Sequence, residues 1–252
     1  MSDLVGLEIR DHIGIISMRR EAKRNAVDRQ LADAIDDALN RLEDEPGLWV
    51  GILTGTRMVF SAGSDLSAGG DNKTERGGEY GIIRRKRRKP LIAAVEGYAL
   101  GGGFEIVLAC DLVVVAAADA TFGLPEVARA VLPTSGALFR ASQGLPLNVA
   151  REMILTGERI SADRAERLGL VNLITGPGGA LDGALALAGK IVVNAPLSVQ
   201  ACVEAVRAIV GADDALGWEV TQAAMASLSG TADTQEGVRA FLEKRPPVWT
   251  GR

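Results

Sequence analysis

Two carboxylates in this 252-residue chain follow an apolar, strand-like run within a glycine or proline turn. Glu105 comes three residues after Gly102 in Gly101-Gly102-Gly103-Phe104-Glu105, and Glu126 closes Thr121-Phe122-Gly123-Leu124-Pro125-Glu126. Two carboxyl groups near one water can divide general-base and general-acid work. Glycines at the mouth of a helix leave unpaired N–H groups open to close approach by a ligand. A second run of small residues after a strand, Ser61-Ala62-Gly63-Ser64-Asp65, can supply another N–H. Two such donors aimed at one oxygen form an oxyanion hole, worth roughly 3–4 kcal/mol per donor in acyl chemistry. Each feature also has an ordinary structural explanation. Glycines before a helix serve as packing contacts beside a solvated Glu, and a lone Glu after proline is commonly an exposed turn residue.

The rest of the composition narrows the chemistry. There is one histidine, His12, in a short turn between strand-like runs, where an exposed turn role is expected. A Ser–His or Cys–His mechanism would depend wholly on it. No His/Cys cluster has the spacing of a zinc site, so no metal is expected. Proton transfer beside a carbonyl is the chemistry left. With 47% hydrophobic and 24% charged residues, the chain can build a sizeable core. A net charge of −4 provides no global field for nucleic acid. The basic run from Arg84 to Lys89 lacks interleaved aromatics and is expected to be a solvated helix face or charge near a phosphate. No apolar run approaches the roughly 18 residues of a membrane span. The N-terminus has no signal pattern, and Cys110 and Cys202 form no spaced framework. A cytoplasmic setting is expected.

The elements that must position these residues alternate. Leu7–Arg10 and Ile13–Met18 read as a hairpin. Asp28 should cap a helix whose apolar face is Leu31, Ile35, Leu39 and Leu42, with Asp33, Asp36, Asp37 and Glu43 opposite. Trp49–Thr54, Leu91–Val95, Leu112–Val115 and Leu170–Ile174 read as buried strands. Ser67–Glu79 is a glycine-containing polar segment, either a lid or a surface loop, and Ile82–Lys89 reads as a short helix. Ser161 should cap a helix ending before Gly169. Beyond Thr175–Gly179 the periodicity is helical from Leu181 to Leu242, with Asp233-Thr234-Gln235-Glu236 as a capping box. This predicts an α/β core over residues 1–175 and a helical C-terminal region over 180–252.

Two stretches resemble a known family. Phe60-Ser61-Ala62-Gly63-Ser64-Asp65-Leu66 is similar to the first oxyanion loop of the crotonase (enoyl-CoA hydratase/isomerase) superfamily. The run from Lys89 to Glu105 is similar to its second signature, and the two stand in family order and spacing. The resemblance covers about Leu7 to Leu173, and Glu236–Trp249 extends it to the C-terminus. It implies a crotonase-like spiral of ββα turns, a homotrimer or a hexamer built as a dimer of trimers, and an acyl-CoA thioester substrate. No cofactor is implied beyond the coenzyme A that the substrate carries.

Residue by residue, the resemblance makes the N–H groups of Ser64 and Gly102 the oxyanion donors. Glu105 matches the family's first catalytic glutamate and Glu126 its second, a pair that favours adding or removing water across C2–C3. Arg24 and Ala26, with Ala62, Gly63, Asp65 and Leu66, match substrate- and CoA-binding positions. Serine at 64, where the family often has alanine, adds a hydroxyl. Thr134-Ser135-Gly136-Ala137, Phe104 and the Lys-Arg-Pro-Pro-Val-Trp-Thr-Gly-Arg ending lean toward the carnitinyl-CoA dehydratase-like branch. A carnitinyl-type dehydratase, an enoyl-CoA isomerase and a non-catalytic acyl-CoA binder are the alternatives.

Overall fold

The computed structural model describes residues 3–69, 71–117, 120–211 and 214–250. Gly70 of the polar segment and the final Gly251-Arg252 lie outside the described residues.

The chain opens with the hairpin β1 (Val5–Arg10) and β2 (Ile13–Met18), followed by α1 (Arg29–Asp44). Asp28 caps α1, accepting a hydrogen bond from the Leu31 N–H at 2.9 Å. Next come β3 (Val50–Thr54), the small hairpin β4 (Lys73–Thr74) and β5 (Gly78–Glu79), then β6 (Leu91–Val95) and β7 (Tyr98–Leu100). Helix α2 (Gly102–Leu108) leads to β8 (Leu112–Ala116), β9 (Thr121–Gly123) and a 3-10 turn at Pro125–Arg129. Helices α3 (Ala137–Gly144) and α4 (Leu147–Thr156), strand β10 (Arg159–Ser161), helix α5 (Ala162–Arg167) and strand β11 (Leu173–Thr175) complete the α/β part. Four helices follow: α6 (Ala180–Val192), α7 (Pro196–Val210), α8 (Asp214–Leu228) and α9 (Ala232–Glu243).

A six-stranded sheet runs in the order β1-β2-β3-β6-β8-β11, parallel from β2 onward. A three-stranded sheet, β10-β9-β7, lies beside it. Parallel strands buried on both faces read as continuous apolar runs, as Leu91–Val95 and Leu112–Ala116 do. Alternate residues feed separate cores. Leu53, Leu91, Ala93, Val95, Val113 and Val115 pack toward α1 and α2. Ile52, Ile92, Ala94 and Val114 face Ala180, Ala184 and Ala188 of α6. Alanine at every fourth position lets α6 lie close against the sheet, so this helix forms a layer of the α/β core. Glu96 anchors its start, accepting from the N–H groups of Ala180 (3.1 Å) and Gly178 (3.3 Å).

Several local expectations are corrected. Ile82–Lys89 is a series of turns rather than a helix, and Arg85, Arg87 and Lys89 are buried. Lys89 Nζ donates to the carbonyls of Leu42 (2.8 Å) and Glu45 (2.6 Å) at the C-terminus of α1. Arg87 donates to the Ala109 carbonyl that ends α2 (2.8 Å) and to Asp111 (2.6 Å). Helix C-termini leave unpaired carbonyls that attract cations, and this run answers two of them. Asp36 and Glu43, expected opposite the apolar face of α1, are buried as well: Asp36 pairs with Arg85, and Glu43 accepts from the Lys89 N–H at 3.1 Å. Of the six cations, Arg84, Lys86 and Arg88 are exposed, and Arg84 and Arg88 pair with Glu79 and Glu43.

The expected capping box is also displaced. Thr231 caps α9, accepting from the Thr234 N–H at 3.2 Å, while Glu236 binds Arg239 and Arg245. The last strand begins at Leu173 rather than Leu170: the N–H groups of Leu170 and Val171 turn back to the Ala165 carbonyl of α5 (3.0 and 3.4 Å), and the Asn172 side chain accepts from the Val113 N–H at 2.7 Å. The polar segment after Ser67 is pinned on α1 by Thr74–Asp36 (2.6 Å) and Arg76–Asp44 (2.6 Å) hydrogen bonds.

Candidate active site

Each glycine of the 101–103 turn answers a different neighbour. Gly101 has φ +53, in the region that side chains avoid, and a Cβ there would lie 2.8 Å from Glu126 Oε1. A Cβ on Gly102 would meet the Tyr80 hydroxyl at 2.5 Å, and one on Gly103 would collide with the Ser61 backbone. The turn is therefore both a packing contact and the floor of a site. It opens into a cavity of about 480 Å³ lined by Ala62, Gly63, Ser64, Leu66, Tyr80, Gly101, Gly102, Glu105 and Glu126, among others.

The two donor loops meet. The Ser61 and Ala99 backbones form a parallel bridge, and a Cβ on Gly63 (φ +95) would lie 3.1 Å from the Gly102 nitrogen. Loop 61–65 is also tied to 24–27: Val27 N–H donates to Gly63 O (2.7 Å), Ala62 N–H to Arg24 O (3.0 Å) and Asp65 N–H to Val27 O (3.0 Å). Among the described residues, neither the Ser64 N–H nor the Gly102 N–H has a backbone acceptor outside regular helix and strand bonding.

The carboxyl groups are in unlike surroundings. Glu105 projects from α2, is 2% exposed, and its Oε1 accepts the N–H groups of Ser135 (2.6 Å) and Ala137 (3.1 Å). Those donors begin α3 and favour the ionised form. Burial and the nearby Glu126 charge outweigh them and push Glu105 up to about 8. Glu126 sits in the 3-10 turn, and burial raises it to about 7. Its Oε2 is buried without a partner among the described residues. A buried carboxyl oxygen left unpaired in a cavity marks where a water or substrate group belongs.

Not every residue singled out by the sequence reaches the cavity. Ala62, Gly63, Ser64, Leu66, Gly102, Glu105 and Glu126 line it, whereas Arg24, Ala26 and Asp65 do not. Arg24 is exposed in the left-handed region (φ 54). Asp65 accepts from Arg20 Nη1 (2.8 Å) and Ser67 Oγ (2.5 Å), which hold its carboxyl down at about 2. Its role in the fold is to fasten the loop. His12 stacks on Trp49 and touches Gly47 O, in the hairpin turn as expected.

The structure adds lining residues from distant elements. Tyr80 precedes the basic run, Arg129 ends the 3-10 turn with its guanidinium 4.9 Å from the Phe241 ring, and Met225, Leu228 and Phe241 come from α8 and α9. No local pattern marks these residues, because they converge only after the C-terminal helices fold back over the turn.

A two-carboxylate cavity, a pair of unpaired backbone donors and a ββα spiral together define an enzyme class that moves protons beside an acyl carbonyl. The chain belongs to the enoyl-CoA hydratase/isomerase family, whose sequence model matches residues 8–252. It is 38% identical to a mevalonyl-coenzyme A hydratase of Aspergillus fumigatus over 94% of this chain and 91% of that protein. It is also 38% identical to a carnitinyl-CoA dehydratase of Salmonella agona over 91% and 92%. A crystal structure of a carnitinyl-CoA hydratase from Mycobacterium avium superposes with TM-score 0.94 at 39% identity, covering 100% of both chains. The crotonase-type fold and the family resemblance carried by the two loops are both borne out.

Proposed function

We propose that this chain adds water to, or removes it from, the C2–C3 bond of an acyl-CoA thioester, with Glu105 and Glu126 sharing the proton transfers. The observation that carries the reading is the unpaired Glu126 Oε2 in the same cavity as Glu105 and the two unpaired N–H donors. In the hydration direction, Glu105 takes a proton from a water held between the carboxyl groups. The water oxygen attacks C3, and negative charge moves onto the thioester oxygen. The N–H groups of Ser64 and Gly102 stabilise that oxygen as an enolate. Glu126, entering as the acid, delivers a proton to C2. Dehydration runs the same steps in reverse. Two buried carboxyls in one cavity resist ionising together and retain a proton near neutral pH, so the pair enters the cycle holding the one proton that is delivered to C2.

The test is loss of the conjugated enoyl-thioester absorbance on mixing with a panel of 2-enoyl-CoA substrates, including crotonyl-CoA and crotonobetainyl-CoA. Glu105→Gln and Glu126→Gln should each lower kcat by about 10²–10⁴-fold. Full activity in either variant would remove that carboxylate from the mechanism. The names of the relatives favour a branched or polar acyl group over a plain fatty chain.

The same reading includes self-association through the C-terminal helices as a trimer or a dimer of trimers. It is supported by exposed apolar residues on α7 and α8, including Leu197, Val206, Ile209, Leu216 and Val220. The unpaired Cys110 and Cys202 agree with a reducing, cytoplasmic setting.

A further inference from the structure

The hydroxyl that serine brings to position 64 is engaged by Tyr80, with 2.8 Å between the two oxygens. Tyr80 itself is buried, holds a left-handed backbone at φ +56, and lines the cavity. An ordinary side chain in that conformation persists only where its surroundings enforce it. The Tyr80 amide donates to Asn72 O at 3.1 Å, which fixes the residue where the polar segment ends.

The phenol touches both halves of the donor pair. It hydrogen-bonds the Ser64 side chain on one loop, and it stands so close to the Gly102 Cα that no Cβ would fit there. The Ser135 side chain interacts with the phenol and with the Glu105 carboxyl as well. A chain of contacts thus runs from Ser64 through Tyr80 and Ser135 to Glu105. Burial and the charges of Glu105 and Glu126 raise the phenol's pKa, so it remains a neutral hydrogen-bonding group.

We propose that Tyr80 is a positioning residue that sets the separation of the Ser64 and Gly102 N–H donors, using its hydroxyl on one and its ring edge on the other. An oxyanion hole depends on where its donors point, and a displacement of about 1 Å can cost about 10²-fold in rate. Serine at 64 is then half of a spacer in which Tyr80 is the other half. Its hydroxyl is directed at the scaffold.

The inference rests on the acyl-CoA reading above, so its test has one arm that needs no turnover. Binding of cinnamoyl-CoA is followed by the long-wavelength shift of its absorbance, which reports polarisation of the thioester carbonyl. Kinetics on the best enoyl-CoA substrate form the second arm. Tyr80→Phe, which keeps the ring, and Ser64→Ala, which removes the partner hydroxyl, are compared singly and together, with melting curves for each. The expected result is a kcat about 10- to 100-fold lower for each single variant, KM within threefold, and a smaller shift of bound cinnamoyl-CoA. The double variant should be no worse than the weaker single one, because the two hydroxyls act as a unit. The proposal is overturned if Tyr80→Phe keeps kcat and the shift within twofold, if only KM changes, or if the two losses multiply. If the unaltered protein turns over no enoyl-CoA yet shifts the absorbance of bound cinnamoyl-CoA, the hydratase reading fails, and the spacer is upheld if Tyr80→Phe and Ser64→Ala reduce that shift and overturned if they do not.

Discussion

Glu105 is uncharged more readily in the folded chain than in an unfolded one, since burial and Glu126 lift its carboxyl from 4.5 to about 8. The sign of the consequence follows from proton linkage. Below about pH 4.5 the group is protonated in both states and contributes no difference. As pH rises toward 8 the unfolded chain releases the proton that the folded chain retains, so folding loses stability across that window. Glu105→Gln removes the titration and keeps an oxygen for the Ser135 and Ala137 N–H groups. Denaturant titrations should therefore show the variant matching the parent near pH 4.5 and exceeding it increasingly between pH 5 and pH 8. A constant difference across that range would contradict the assigned environment. Stability given up at a reacting group in this way is a frequent cost of function. The glutamates were legible from sequence because each follows a turn whose shape depends on glycine or proline. Tyr80 was not, because its partners at 64, 102 and 135 lie on separate segments.

At the scale of elements, the ends of α1 and α2 are completed by residues that read as a basic surface run. Arg87 is almost fully buried, and its charge is met by Asp111 and by backbone carbonyls. Removing one member of such a pair leaves a charge without compensation, which costs far more than the pair itself contributes. Asp111→Ala should destabilise the chain by about 3 kcal/mol in urea unfolding. Arg87→Met combined with Asp111→Leu should recover most of the loss. If the double variant is less stable than Asp111→Ala, the penalty lies elsewhere. Strands β3, β6 and β8 were legible as short, continuous apolar runs, and helix α1 as apolar residues at helical spacing. The run 82–89 was misread as a helix with a solvated face because charge was taken as a sign of exposure. Here the long cationic side chains cap helices from beneath.

For the molecule as a whole, α6 and the last three helices play different parts. Alanines 180, 184 and 188 bind α6 to the sheet, while Val193, Leu197 and Ile209 beyond it are each more than three-quarters exposed in the single chain. Apolar residues of that exposure, recurring along α7, are expected to be covered by another copy of the chain. Sedimentation of the full-length protein should give a trimer or hexamer, and Leu197→Glu with Ile209→Glu should shift it to smaller species. A monomer before substitution would show that these residues have another role. Because α8 and α9 also line the cavity, KM should change along with assembly.

Sequence alone outlined the α/β core through its apolar runs and periodicity, while the resemblance of two glycine-containing motifs carried the family and marked Glu105, Glu126, Ser64 and Gly102 as candidates. Tertiary structure decided which atoms are left without partners. It placed Glu126 beside Gly101, turned the Ser64 hydroxyl onto Tyr80, directed Asp65 away to Arg20, and buried half of the basic run. The physical reason is that a hydrogen bond or a desolvated charge belongs to two groups at once. When those groups lie on separate segments, 16 residues apart for Ser64 and Tyr80 and 45 for Arg20 and Asp65, only the folded chain specifies the pair.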